Sequence, residues 1–172
     1  MGQINPSGKL PITIPYSVGH LQAIYDHKPS AYRHKFVDTP TKNLFEFGFG
    51  LSYSTYEYEA PKLSKKQIKS DESTSISVKL TNTGKYGGAE IVQLYIRDDF
   101  SQITRPVKEL KGFKRIYLES GESATIEFLV EPDMLAYYNR DMEWTVEQGS
   151  YTLMIGPSSR QSDLKSAKLI VN

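Results

Sequence analysis

His20, His27 and His34 recur every seven residues, a spacing that would stack them on a helix and could gather metal ligands. The segment contains Gly19 and Pro29 and lacks an apolar stripe, so no helix is expected to bring them together. Hydrogen bonding in a loop or between domains is the expected role, since a zinc site needs ligands converging from a supported frame. Two carboxylate pairs come next: Asp98-Asp99, and Asp141 with Glu143. Neighbours in a strand point to opposite faces, so Asp98 and Asp99 cannot address one substrate without a bulge. Asp141 and Glu143 could share a face but stand beside a turn, where solvation is expected. Glycosidic hydrolysis needs two carboxyls roughly 5–9.5 Å apart across one bond, and nothing in the spacing enforces that.

Gly48-Phe49-Gly50 imitates a phosphate loop only in part. Tyr53 stands where the third glycine belongs, and Phe49 blocks the close backbone approach that such a loop provides. There is no Gly-x-Ser-x-Gly elbow and no cysteine nucleophile. Pro6 spoils Asn5-Pro6-Ser7 as a glycosylation acceptor. The expected sets of catalytic, cofactor-binding and metal-ligating residues are therefore empty, and no cofactor is implied.

The elements that would have to position any site are clearer. Ile76, Val78 and Leu80, then Val92, Leu94 and Ile96, then Ala124, Ile126, Phe128 and Val130 are apolar at every second position. That period puts each set on one face of a strand. Strands are expected at 74–81, 90–98, 109–118, 123–130, 142–147, 150–156 and 166–171. Turn residues separate them: Asn82-Thr83-Gly84, Gly87-Gly88, Ser120-Gly121, Gln148-Gly149 and Gly156-Pro157-Ser158. Pro132 followed by Asp133 reads as the start of a single helical turn. The fold class is all-β, an antiparallel immunoglobulin or fibronectin type III-like sandwich of about seven strands. Trp144, the only tryptophan, shares a parity with Val146 and is expected to anchor the core.

Residues 1 to about 60 differ in texture. They carry Pro6, Pro11, Pro15, Pro29 and Pro40, all three histidines, and one short alternating strand, Leu10, Ile12 and Ile14. Its prolines confine it to a sheet edge, and no partner strand for it is evident in the chain. Disorder, folding back onto the sandwich, or pairing in a homodimer are the expected fates of this leader. Tyr16, Tyr25, Tyr32, Tyr53, Tyr56 and Tyr58 crowd the same region. Amphipathic rings suit a domain interface, with sugar contact and local packing as alternatives.

The 172 residues suffice for one domain and a substantial extra segment. A formal charge of +1 gives no general electrostatic reason to bind nucleic acid or an acidic membrane. Two basic runs, Lys62, Lys65, Lys66 and Lys69, and Lys108, Lys111, Lys114 and Arg115, are expected to be solvated surface. The absence of cysteine excludes disulfides without fixing a compartment. No apolar run reaches the roughly 18 residues of a membrane span, and Met1-Gly2-Gln3-Ile4-Asn5 does not begin a signal peptide.

Four segments carry a resemblance. Asn5-Pro6-Ser7-Gly8-Lys9-Leu10-Pro11-Ile12-Thr13 closely resembles a segment of the family 3 glycoside hydrolases, the β-glucosidase and β-xylosidase family. Tyr25-Asp26-His27-Lys28-Pro29 and Leu44-Phe45-Glu46-Phe47-Gly48-Phe49-Gly50-Leu51-Ser52-Tyr53 are similar to later blocks of that family, in the same order. The run from Val107 to Phe113, with Trp144 to Gly156, resembles its C-terminal fibronectin type III-like domain. Asp26 and Phe49 depart from the family's asparagine and tyrosine.

The resemblance implies that the aspartate nucleophile, on a barrel domain, and the acid/base glutamate, on or near an α/β sandwich domain, both lie upstream of Asn5. It makes 1–60 the end of that α/β domain plus a connector, and 61–172 the fibronectin type III-like domain. The expected function is a noncatalytic module bracing the catalytic domains, with guidance of substrate as a further role. A stand-alone carbohydrate-binding module, a protein-interaction domain and a hydrolase acting alone are the alternatives. The missing catalytic domains, a glycan and a second copy paired through the leader strand are the expected partners. The resemblance implies a periplasmic or secreted setting for the parent enzyme.

Overall fold

The computed structural model describes residues 4–20, 23–29, 40 and 42–172; His34 and Tyr32 lie outside them. Two sheets form the sandwich. In the first, β4 (Thr74–Asn82) is flanked on one edge by β7 (Ser123–Val130) and on the other by the short β1 (Tyr56–Tyr58) and β2 (Lys62–Leu63). The second runs in the order β3 (Gln67–Ile68), β11 (Lys165–Val171), β10 (Gly149–Gly156), β5 (Gly88–Asp98), β6 (Glu109–Leu118). A single helical turn, α1 (Pro132–Leu135), follows β7.

The period-two residues do what their spacing predicts. Ile76, Val78, Leu80, Val92, Leu94, Ile96, Ile126, Phe128 and Val130 all lie in one core with Leu153, Ile155 and Leu169. Each such side chain contributes roughly 1.5–3 kcal/mol by leaving water. Six of the expected strands are present to within two residues at either end. The short β1, β2 and β3 have no readable period, and β1 joins the sandwich a little before residue 60.

The expected strand at 142–147 is different. Only Trp144–Thr145 (β9) is extended, and it pairs with Tyr137–Tyr138 (β8) in a hairpin outside both sheets. The Asn139 side chain accepts from the amides of Asp141 and Glu143, each at 2.9 Å, and Met142 sits at φ 60. Those turn contacts end any longer strand. Trp144 is consequently 51% exposed, not in the core where its parity with Val146 pointed. Tyr151, Leu153 and Leu169 fill the interior.

The sheets differ on their outer faces. Ser123, Thr125, Glu127 and Leu129 of β7 are exposed to water, as an open antiparallel face should be. In β5, by contrast, the outward Gln93 and Tyr95 are as buried as the inward Val92 and Leu94. The leader covers them. Gln93 Nε2 donates to the carbonyls of Gly48 (3.1 Å) and Pro157 (2.7 Å), and Tyr95 Oη donates to Gln93 Oε1 at 2.5 Å. The leader strand also finds a partner within the chain, contrary to expectation. Leu10 N–H donates to Phe49 O and Ile14 N–H to Phe45 O, both at 2.8 Å, and Gly48 N–H returns a bond to Leu10 O. Those partners lie about thirty to forty residues downstream of the leader strand, too far for a local pattern to reveal. The described part of the leader folds back onto the sandwich.

Gly48 is the tightest point of this arrangement. Its φ is 77, and a Cβ there would collide with the Gln93 amide. Gly48→Ala is therefore expected to weaken leader docking by about 2 kcal/mol, leaving the sandwich folded. Tryptic cleavage after Lys9 or Lys42 should accelerate by roughly tenfold or more, following the population of the open form. An unchanged cleavage rate would show that no constraint operates there.

Candidate functional site

Segments 5–13, 25–29 and 44–53, which carry the resemblance, meet the sandwich along one seam. Asn5 uses its whole amide: Nδ2 donates to Ser54 Oγ (2.9 Å) and Gly87 O (3.0 Å), while Oδ1 accepts from Ser52 Oγ (2.8 Å) and Tyr53 N–H (2.9 Å). Gly88 makes room for it, since a Cβ there would strike the Asn5 amide. Lys9 Nζ lies 2.7 Å from Glu90 Oε1, with the two side chains only 14% and 6% exposed. Removing one partner of such a pair costs roughly 3–5 kcal/mol, because the other charge stays buried. Burial, and then the adjacent Glu90, push the Tyr58 phenol well above its ordinary range.

Tyr25 stacks on Phe47 at 4.2 Å between ring centroids and meets Tyr95 edge-on at 6.0 Å. β5 and β6 lose register between Leu94 and Tyr95, leaving Lys111 as the extra residue of a bulge. The amide of Leu110 beside it donates to Tyr25 Oη at 3.3 Å. His27 O accepts from Val107 N–H at 3.0 Å, tying the leader to the loop before β6. Phe49 stacks on Phe45 at 5.0 Å and takes the Arg160 guanidinium over its face at 5.4 Å. These contacts fasten the leader. They bring no nucleophile and base together.

The candidate chemistry is scattered. His20 is buried beside Tyr16, with ring centroids 6.2 Å apart, and His27 Nδ1 lies 3.0 Å from Lys28 O. Among the described residues no three His, Asp or Glu side chains are grouped to hold a metal ion. Asp141 and Glu143 flank the hairpin turn and are exposed. Gly48 and Phe49 are structural, as above. Of the leader tyrosines, Tyr58 is buried and Tyr16 and Tyr53 are exposed. Lys62, Lys65, Lys66 and Lys69 are exposed as expected, but Lys108 is not. Its ammonium is buried and donates to Ser159 O (2.8 Å) and Gln161 Oε1 (2.9 Å), and burial lowers its pKa.

Asp98 and Asp99 do face opposite ways. Asp98 lies under Arg105, whose Nη1 is 3.5 Å from Oδ2 and whose Nη2 reaches Glu109 at 2.6 Å. Asp99 accepts from Ser150 Oγ and Thr152 Oγ1 at 2.7 Å and from Lys168 Nζ at 2.6 Å. The surface feature that parity reasoning missed is aromatic. Trp144 packs on Tyr138 at 5.0 Å, and its Nε1 donates to Asp133 Oδ1 at 2.8 Å. Beside the pair opens a groove of about 340 Å³.

Comparison with known proteins places this geometry. The fibronectin type III-like domain model matches residues 90–159. A β-xylosidase of Formosa agariphila is 43% identical over 176 residues, covering 99% of this chain and 24% of the relative. A periplasmic β-glucosidase of Salmonella typhimurium is 37% identical, over 98% of this chain and 23% of its own length. Among solved structures, a β-glucosidase from Erythrobacter marinus superposes with a TM-score of 0.95 at 37% identity, over 99% of this chain and 22% of that one. The chain thus spans about a quarter of the length of the relatives it matches.

The paired aspartates yield a titration test. Burial raises Asp98, and Arg105 offsets this only in part. Burial also acts on Asp99, but the bonds from Lys168, Thr152 and Ser150 outweigh it and hold that carboxyl low. Asp99 therefore contributes stability above the unfolded aspartate pKa of about 3.9, lost as pH falls through its folded value. Asp98 does the reverse, losing its contribution as pH rises through its own. Carboxyl carbon shifts followed by NMR should show Asp98 titrating above free aspartate and Asp99 below it. Lys168→Met should move Asp99 upward alone. The opposite order would refute the two environments.

Proposed function

This chain belongs to the family 3 glycoside hydrolases, matching their C-terminal portion with its fibronectin type III-like domain, and from that membership we propose that it is a noncatalytic brace for their catalytic domains. Residues 1–60 serve as the end of the α/β domain and its connector, and 61–172 as the sandwich. The catalytic aspartate and glutamate lie outside these residues, and the parent enzyme cleaves O-glycosyl bonds of the kind its relatives' names indicate. A periplasmic or extracellular setting is supported by the name of the Salmonella relative.

One observation carries the proposal. Large apolar side chains project outward from the leader: Val18 is 94% exposed, Leu51 74% and Ile12 58%, with Ile24 and Tyr53 similarly placed. The same leader grips the sandwich by its other side. A segment fastened on one face and apolar on the other suits a joint between domains. Burying these groups in an interface would stabilise it by roughly 1–2 kcal/mol apiece.

The test is a segment exchange in the Formosa β-xylosidase. Deleting its matching segment is expected to lower the thermal midpoint by several degrees, on the order of 2–4 °C per kcal/mol lost. Inserting this chain there should restore it, and Ile12→Asp with Val18→Asp should undo the rescue. The isolated chain should release no nitrophenol from nitrophenyl xyloside or glucoside. Turnover by the isolated chain, or a deleted enzyme as stable as its parent, would refute bracing.

A further inference from the structure

Trp144 is an expensive residue to leave in water, and the fold holds it there firmly. Its hairpin is closed by two bonds to Asn139 and by a left-handed Met142, a conformation that β-structure gives a non-glycine residue only under constraint. The Arg140 guanidinium adds a bond to Gln102 O at 3.0 Å, tying the hairpin tip to the neighbouring loop. The indole is oriented by Asp133 and backed by Tyr138. An exposed ring that is fixed in place, with no role in the core, is built for contact.

The groove beside it is lined by Trp144, Tyr138, Lys28, Arg105, Glu109 and Lys111. Arg105 is already committed, to Glu109, Asp98, the Leu135 carbonyl at 3.1 Å and the Tyr137 ring at 4.8 Å. It fixes Glu109, whose other oxygen lies 3.5 Å from Lys111 Nζ. The lining carries the cations Lys28, Arg105 and Lys111 and the carboxylate Glu109, with Asp98 behind Arg105 and Asp133 on the Trp144 indole. Arg105, Asp98, Glu109 and Lys111 are engaged with one another, so most of the charge at the groove is already paired. The groove offers an aromatic platform next to an acceptor and donors set close together. That combination fits a pyranose, which has an apolar face of C–H bonds and a rim of hydroxyls able to donate and accept at once.

We propose that this groove binds a neutral oligosaccharide of β-linked pyranoses, stacking one sugar ring on Trp144 and bonding its hydroxyls to Glu109 and Lys111. The assignment rests on the reading of the chain as part of a glycan-degrading enzyme. It adds a ligand-holding surface beside the aromatic hairpin, whose lining includes none of Ile12, Val18 and Leu51, the exposed groups on which bracing rests.

Because Trp144 is the only tryptophan, intrinsic fluorescence reports on this site alone. Titrating the full chain with xylohexaose or cellohexaose should give a saturable emission change with a midpoint at or below about 1 mM, and reduced quenching by iodide. By calorimetry, Trp144→Ala and Tyr138→Ala should each weaken binding at least about tenfold, while Trp144→Tyr retains most of it. Circular dichroism and thermal midpoint should be unchanged, since both rings are half exposed. Binding indifferent to Trp144→Ala would overturn the proposal. So would an emission change produced only by added catalytic domains, or only by self-association in light scattering, because the face would then be a protein interface. Bracing is read from the segment exchange and glycan binding from this titration, so either can fail without the other.

Discussion

A side-chain amide in the middle of a strand organises this molecule. Gln93 faces outward from β5 yet is buried, and an unpaired amide there would cost roughly 1–3 kcal/mol. Its partners are Gly48 O from the leader, Pro157 O from the far end of β10, and the hydroxyl of Tyr95. A sandwich deprived of the leader would keep its core but expose Tyr95 and lose the Gly48 bond to that amide. Leader and sandwich are therefore one packed structure, although the chain's texture changes sharply between them.

The sheet faces explain the division of labour. The outer face of the β4 sheet is polar and asks for nothing further. The outer face of the β5 sheet is covered by aromatic rings, Tyr25, Phe47 and Phe49, delivered by the very motifs that carry the family resemblance. Those motifs look like candidate chemistry because they combine glycine, histidine, lysine and aromatic residues. Their bonds show them to be fasteners: Asn5 to the 52–54 turn and Gly87, Lys9 to Glu90, Tyr25 to the bulge amide of Leu110. What remains for recognition is the apolar outside of the leader and the aromatic hairpin.

Much of the sandwich was legible because burial on one face writes a period of two into a strand, as in Ile76, Val78 and Leu80. The same rule predicted that Asp98 and Asp99 would part company, and they do. It failed at Trp144, where parity is only meaningful if the strand stays in the sheet; the Asn139 turn takes it out. It marks the leader strand but not its partner around Phe45, and it is silent about Lys108, whose burial depends on the 158–161 loop. Both are long-range contacts with no local signature. The signal for the aromatic surface is Tyr137-Tyr138 and Trp144 flanking an Asn139-centred turn, the pattern of a hairpin.

Amide hydrogen exchange on the intact chain tests the joined leader and sandwich most directly. The amides of Leu10, Ile14 and Gly48, bonded to Phe49, Phe45 and Leu10 carbonyls, should exchange at least about a hundredfold more slowly than in a free peptide. Gln93→Ala should release them while Leu94 and Leu153 in the core stay protected. Exchange of Leu10 and Ile14 at the free-peptide rate in the unaltered chain would contradict the account, since the leader would then be unattached to the sheet it is said to cover.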